Sequence, residues 1–269
     1  MKFAYPVVTP EVKQKGLAYG GQLSEVLPLI RSIGYEGVEL VMRDPKAMDL
    51  QELQKIIEKC DFEVPVISTG PLKNEDKLAF TDPDKDVRLK AIKRIKEIID
   101  VAKTYSAFVS IGNLRGNVRL TGELQLREWQ GQAIDTVCDY AEKKNITIIL
   151  EPQNRYVVDN LNSTEETINF IKSKNIANLM MMLDVFHMNI EDSSIMRSII
   201  KASKYNRYIH FSDNHRGVPG SGHINFVEII RLLKEIDYNH YIAMEIKQIP
   251  DSYQAAEKAF VYLNHLIDM

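Results

Sequence analysis

Two short apolar segments, Thr147-Ile148-Ile149-Leu150-Glu151 and Leu179-Met180-Met181-Met182-Leu183-Asp184, indicate the fold of this chain. Each has the length of a buried β-strand, and each ends on an acidic residue. Six further runs of this kind occur, separated by longer stretches with helical periodicity. The eight predicted strands are residues 2–8, 37–42, 64–69, 107–112, 147–151, 179–184, 208–213 and 241–246.

The stretches between these runs are amphipathic, as in residues 84–105, where Val87, Ala91, Ile95 and Ile98 form one apolar stripe. Alternating strands and helices form a parallel sheet, and eight units of about 34 residues match a (β/α)8 barrel. An open doubly wound sheet is disfavoured because no predicted strand is followed by a glycine-rich phosphate loop. We therefore predict an α/β fold in which residues 1–269 form a single (β/α)8 TIM barrel.

The composition is that of a globular protein, with 45% hydrophobic and 26% charged residues. A formal net charge of −3 gives no basic field that would attract nucleic acid. No apolar run approaches the ~18 residues of a membrane span, and the N-terminal residues lack a secretory signal. Cys60 and Cys138 do not have the spacing of a metal pair. We expect a cytoplasmic protein with a small-molecule ligand and no nucleic-acid or membrane partner.

Side chains that can bind a metal close or follow the apolar runs of the last four predicted strands: Glu151, Asp184, His210 and Glu245. In a (β/α)8 barrel these ends lie on the C-terminal face, where active sites are built, so the four side chains should converge. Three converging carboxylates would repel one another unless a cation compensates. The sequence therefore predicts one divalent metal ion. Three oxygen donors and one imidazole suit Mn²⁺ or Mg²⁺, with Co²⁺, Fe²⁺ and Zn²⁺ as alternatives.

The segments around these positions resemble the ketose 3-epimerases, which belong to the xylose-isomerase-like barrel superfamily. The similar segments are residues 151–156, 183–191, 210–216, 219–222 and 244–245, and residues 37–45 and 69–94 resemble the 5-keto-L-gluconate epimerase branch. The resemblance implies a carbohydrate epimerase, hence an isomerase, that forms a homodimer or homotetramer. It also implies that the four residues bind the metal, that Glu151 and Glu245 are the acid/base pair, and that His187 and Arg216 hold substrate oxygens.

Epimerisation beside a ketone removes a proton from one face of a carbon, stabilises an enediolate and returns a proton to the other face. Carboxylates from strands five and eight approach a shared metal from different sides, so a metal-bound enediolate could lie between Glu151 and Glu245. One position departs from the family pattern. Where the family often has a glutamate that contacts sugar hydroxyls, this chain has Val157, which leaves the identity of the substrate open.

Loop arginines suggest a sugar acid as one possible substrate. Arg115 and Arg119 follow the fourth predicted strand and Arg43 follows the second, so they would lie on the active face and could bind a carboxylate. The loop of residues 9–21 contains three glycines and is predicted to lie above the first strand as a lid.

Other activities also fit the same residues. Aldose–ketose isomerisation, or dehydration of an inosose or dehydroshikimate, would begin with the same enolisation, and these reactions stay open. A non-catalytic sugar-binding barrel would have no need for two carboxylates flanking a metal. A DNA-repair hydrolase of the endonuclease IV type needs three metals and histidines on earlier strands, whereas all six histidines of this chain lie in its last third.

Overall fold

The predicted strands form one closed parallel barrel in the computed structural model, which describes residues 1–14, 16–117 and 123–268. Neighbouring strands follow the order of the chain, and β1 closes the barrel by pairing with β8, Lys2 opposite Tyr241. This confirms the predicted TIM barrel. The strands are β1 (Lys2–Val8), β2 (Gly37–Val41), β3 (Val66–Ser68), β4 (Phe108–Ile111), β5 (Ile148–Leu150), β6 (Leu179–Asp184), β7 (Asn206–Phe211) and β8 (Tyr241–Met244).

Helices of the described chain connect the strands. They are α1 (Leu23–Ile33), α2 (Leu50–Lys59), α3 (Gly70–Asn74), α4 (Lys85–Tyr105), α5 (Glu123–Glu142), α6 (Thr164–Lys174), α7 (Val185–Glu191), α8 (Ile195–Ala202), α9 (Phe226–Glu235) and α10 (Ser252–Asp268). Side-chain caps fix several of their starts, because the first backbone N–H groups of a helix have no partner within it. Ser163 and Glu166, for example, form a reciprocal capping box at α6.

Three strands differ from the prediction near the site, and one of them, β8, ends at Met244, so Glu245 lies just past it. Strand β5 ends at Leu150, so Glu151 lies just past the ladder, although its N–H still donates to the carbonyl of Ile111. Strand β7 starts at Asn206 and ends at Phe211, two residues earlier at each end than predicted. The chain turns after Phe211 because the N–H of Asp213 donates to the carbonyl of Gly217.

The core has two layers, since successive side chains of a strand point to opposite faces. Most buried side chains pack between the strands and the surrounding helices, and Met181 belongs to this layer. A smaller cluster fills the inside of the barrel: Ala4, Val66, Ile149, Met182, Tyr208, Tyr241 and Ala243. The ring of Tyr208 packs edge-on against His210, with 5.6 Å between the ring centroids. The inner cluster therefore forms the floor on which the C-terminal face is built.

Candidate metal centre and active site

The four predicted metal ligands converge at the C-terminal ends of β5 to β8. Glu151, Asp184, His210 and Glu245 each offer one ligand atom, and these atoms all lie within 4.8 Å of one another. The strand register explains the convergence, because Asp184 lies opposite His210 in the β6–β7 pair. Three of the residues are buried, and the side chain of Glu245 is 27% exposed. The group can therefore enclose one small cation.

Asp184 has a different partner for each of its carboxylate oxygens. Oδ1 caps helix α7 by accepting from the N–H groups of Phe186, at 2.8 Å, and His187, at 3.3 Å. Oδ2 lies 3.8 Å from Nδ1 of His210 and accepts from Nη1 of Arg216 at 2.7 Å. Burial raises the pKa of Asp184, but the charge of Arg216, with the imidazole groups of His187 and His210 nearby, outweighs it and holds the pKa well below its ordinary value. Asp184 is therefore an anchored anion.

Glu39 orients His210 from the middle of β2. Its Oε2 lies 2.7 Å from Nε2 of His210, and its side chain is 2% exposed. A carboxylate can only accept, so Nε2 carries the proton and Nδ1 presents its lone pair to the other three ligands. Nδ1 lies 3.7 Å from Oε1 of Glu151 and 3.6 Å from Oε2 of Glu245. Glu39 was not among the residues predicted from the sequence; it is the one acid inside the apolar run of β2.

Glu151 and Glu245 differ in proton affinity. Burial raises the pKa of Glu151, but the neighbouring imidazole groups of His210 and His187 outweigh burial and lower the pKa below its ordinary value. At Glu245, burial raises the pKa to about 7 although Arg216 and His210 act in the opposite direction. Carboxyl groups whose environments separate their pKa values are suited to acid/base chemistry.

The residues fit a divalent cation. Oε1 of Glu151 and Nδ1 of His210 are buried and have no hydrogen-bond partner among the described residues. Buried polar atoms of this kind are costly unless they are compensated, and both belong to the converging group. The donor set of three carboxylates and one imidazole nitrogen matches the preferences of Mn²⁺ or Mg²⁺, with Co²⁺, Fe²⁺ and Zn²⁺ also compatible.

His187 lies in the first turn of α7 and lines the cavity above the four ligands. The backbone N–H of Asn154 lies 3.3 Å from its Nδ1. Burial lowers the pKa of His187, with Asp184 acting against the shift and Arg216 adding to it. Nε2 lies 3.0 Å from Nη2 of Arg216. Both side chains line the cavity, so a substrate oxygen bound there can contact both groups.

Arg216 lies in the loop after β7, with its guanidinium over the ring of Phe186 at 4.2 Å. Its Nη1 lies 2.7 Å from Oε2 of Glu245. The backbone has φ of +61°, which is strained for a residue other than glycine and is common at functional sites. The buried carboxylate of Asp213 holds the loop by accepting from the N–H groups of Asn214, Gly220, Gly222 and Ile224.

The converging side chains open into a cavity of about 440 Å³. The charged half is lined by Glu151, His187, His210, Arg216 and Glu245, and neutral residues form the remaining wall: Pro6, Gln14, Gly16, Leu17, Ala18, Val41, Ser68, Gly70, Pro71, Asn74, Ser110, Gly112, Asn113, Gln153, Val157 and Phe186. Residues of the predicted lid therefore line the cavity. Glu75 fastens this loop through the N–H groups of Lys13 and Gln14, at 2.9 and 2.8 Å.

The structure corrects the expectation that Arg115 binds substrate. Its side chain is buried, and its guanidinium donates to the carbonyls of Gly112, Glu151, Asn160 and Leu161. These contacts use its five N–H bonds and hold the backbone around Glu151. Arg43 is engaged by Glu75 at 3.0 Å, and Arg119 lies outside the described residues.

Comparison with known proteins places the chain in a family. Residues 27–263 match the family model of the xylose isomerase-like TIM barrel. The L-ribulose 3-epimerase of Methylomonas sp. (strain DH-1) is 26% identical over 79% of this chain and 74% of its own length. The ketose 3-epimerase of Arthrobacter globiformis is 25% identical over 80% of this chain and 74% of its own length.

A solved structure gives the same fold. The D-allulose 3-epimerase from Methylomonas sp. in complex with D-allulose has a TM-score of 0.81 and 22% identity, and the match covers 98% of this chain and 99% of that one. The relatives named here are epimerases, and epimerases are isomerases. Within the described residues, no helix combines the length and the apolar character needed to cross a membrane.

Proposed function

Because the chain belongs to the xylose isomerase-like TIM barrel family, we propose that it is a metal-dependent epimerase of a ketose or keto-sugar acid, acting at the carbon beside the ketone. One observation carries this proposal. Glu151 and Glu245 approach His210 from β5 and β8, and their ligand atoms lie within 4.8 Å of one another at the base of a cavity large enough for a small sugar.

Glu151, Asp184, His210 and Glu245 would hold the ion, with Glu39 orienting His210. A divalent ion bound there would supply the Lewis acidity that makes a proton beside a ketone easier to remove. The identity of the ion as Mn²⁺, the homo-oligomeric state and the cytoplasmic location stay predictions.

The two glutamates would move the proton. One carboxylate removes it from the carbon beside the ketone and the other returns a proton to the opposite face, so the configuration of that carbon is inverted. Which glutamate acts first depends on the configuration of the substrate. The different pKa directions of Glu151 and Glu245 suit this exchange of roles.

Arg216 and His187 would stabilise the negative charge that develops on the substrate oxygen. Both side chains border the same region of the cavity, with 3.0 Å between Nη2 of Arg216 and Nε2 of His187. Donors that are held in place before the reaction need little reorganisation when the charge appears. The hydrogen bonds from Asn154 to His187 and the contact of Phe186 with Arg216 keep both donors in position.

Proton NMR in D₂O tests the proposal. The Mn²⁺-loaded protein is incubated with D-psicose, D-fructose, D-tagatose, 5-ketogluconate and tagaturonate, and the sugars are examined after the protein is removed. We expect deuterium at the carbon beside the ketone together with a new epimer. Exchange without an epimer would instead indicate an aldose–ketose isomerase or a dehydratase, and no exchange with any sugar would contradict the proposal.

A further inference from the structure

The glutamine that follows β5 is placed to contact both the substrate and an acid/base residue. Gln153 lines the cavity, and its Nε2 donates to Oε2 of Glu151 at 2.6 Å. Its Oε1 is buried and lacks a hydrogen-bond partner among the residues that the structure describes. A buried carbonyl oxygen of this kind calls for a donor, and a bound ligand is one source of it.

Contacts with Asn162 and Gly112 hold this glutamine in place. The side chain of Asn162 donates to the carbonyl of Gln153 at 2.7 Å. A Cβ at Gly112 would lie 2.6 Å from Nε2 of Gln153 and 2.7 Å from Oε2 of Glu151, so the end of β4 packs directly against the pair. Gln153 therefore fixes Oε2 of Glu151 and leaves Oε1 facing the other metal ligands.

A second acceptor belongs to a residue that lines the same cavity. Asn113, the neighbour of Gly112, also lines the cavity, and its Nδ2 donates to Oδ1 of Asn74 at 2.9 Å. Its own Oδ1 is buried and unpartnered within the described chain. Two carbonyl oxygens can accept hydrogen bonds from hydroxyl groups but would repel a carboxylate. The arginine behind this wall, Arg115, is saturated by backbone carbonyls.

We propose that Gln153 recognises a hydroxyl group of a neutral ketose through Oε1, with Asn113 as a second acceptor in the same cavity, while Nε2 holds Glu151 in its reactive orientation. This inference rests on the function proposed above. Val157 lines the same cavity but has no polar side-chain atom that could bind a hydroxyl group. Gln153 would perform that recognition instead. It also predicts that a neutral ketose is preferred over the corresponding sugar acid.

Two variants separate the two roles of Gln153. Gln153→Met removes donor and acceptor at similar volume, so we expect KM for D-tagatose to rise about tenfold and kcat to fall, as for a lost hydrogen bond in a polar site. Gln153→Glu keeps an acceptor but removes the N–H group that donates a hydrogen bond to Glu151. We therefore expect kcat to fall and KM to be largely retained. Gln54→Met is the matched control, because Gln54 also donates to a glutamate, Glu58, at 2.7 Å but on α2 outside the cavity.

Binding gives a readout that does not require turnover. Dissociation constants of D-tagatose and D-tagaturonate, which differ only at C6, are measured by ligand-observed NMR with the Mg²⁺-loaded wild type and both variants, after circular dichroism has verified folding. We expect the wild type to prefer D-tagatose and Gln153→Met to lose that preference. Val157→Glu added to Gln153→Met should restore part of the affinity for D-tagatose.

The outcomes distinguish this inference from the proposed function. If the wild type converts a ketose but the Gln153→Met variant is unchanged in KM, kcat and binding, the role of Gln153 is wrong and the epimerase proposal stands. Tighter binding of D-tagaturonate by the wild type would also overturn the inference. If the wild type binds and converts none of these sugars, both proposals fail. If neither Gln153 variant folds, Gln153 is a structural residue and the inference fails.

Discussion

The two halves of the cavity are built for different tasks. The ends of β5 to β8 bring together buried charged groups, among them Asp184 and Arg216 at 2.7 Å. The β1 to β4 half presents neutral side chains such as Ser68, Ser110 and Asn113, while its ion pair between Arg43 and Glu75 is not part of the wall. Charge is thus concentrated where a proton must move, since electrostatic effects are strongest in a site shielded from water. The neutral half, together with Gln153 from the loop after β5, lines the rest of the cavity with groups that can form hydrogen bonds to a sugar.

Removing a carboxylate from the charged half should have the largest effect. Glu151→Gln and Glu245→Gln each remove one acid/base group, and we expect turnover to fall by at least about 10³-fold. A positioned acid or base contributes about 10²–10⁴-fold, and either change also weakens the metal site. Deuterium exchange by NMR measures the loss. Thermal melting should show a folded protein, and appreciable epimerisation by either variant would refute the two-base scheme.

Arg115 joins the two halves, because it donates both to Gly112 after β4 and to Glu151 after β5. Arg115→Met leaves several buried carbonyls without a donor, so we expect the free energy of unfolding to fall by about 3 kcal/mol. Arg155→Met is the control, because Arg155 pairs with Glu191 but its side chain is 64% exposed, and it should cost less than about 1 kcal/mol. Equal effects in urea unfolding would show that Arg115 has no special role between the halves.

Glu39 is the acid that the β1 to β4 half contributes to the metal centre. Glu39→Gln weakens the hold on Nε2 of His210, and we expect the affinity for Mn²⁺ to fall roughly 10- to 100-fold, as is usual when such a partner of a metal-binding histidine is lost. Isothermal titration calorimetry measures the affinity. Glu36→Gln, on the exposed segment just before β2, is the control and should leave the affinity for Mn²⁺ unchanged. Wild-type affinity in the Glu39 variant would show that the β1 to β4 half contributes nothing to metal binding.

The smallest effect is expected at the loop of residues 9–21. Glu75→Gln weakens the hydrogen bonds to the N–H groups of Lys13 and Gln14, because a neutral amide oxygen is a poorer acceptor than a carboxylate. We expect KM to rise about two- to threefold with kcat unchanged, and hydrogen exchange of these two amides to become faster. Glu52→Gln, on the exposed side of α2, is the control. Unchanged exchange would show that Glu75 does not fasten the loop.

The two halves also differed in how well the sequence predicted them. Glu151, Asp184, His210 and Glu245 could be located because each follows or ends an apolar run, and parallel strands bring their C-terminal ends to one face. Glu39 was missed because it lies inside such a run, where alternation alone does not say which side chains point into the barrel. The position of Arg115 depends on the carbonyl of Asn160, 45 residues away, and no local pattern encodes that contact.

Helix α7 has an acid at each end, and these two acids connect the helix to neighbouring parts of the site. Asp184 joins its start to the metal centre, while Glu191 at its end accepts from the backbone and side chain of Arg155, at 2.7 and 2.9 Å, in the segment that carries Gln153 and Asn154. The short helix therefore connects the loop after β5 to the end of β6. Loosening either end would shift the acid/base group, the imidazole donor and the hydroxyl-binding amide together, so these groups should gain or lose order as one cooperative unit.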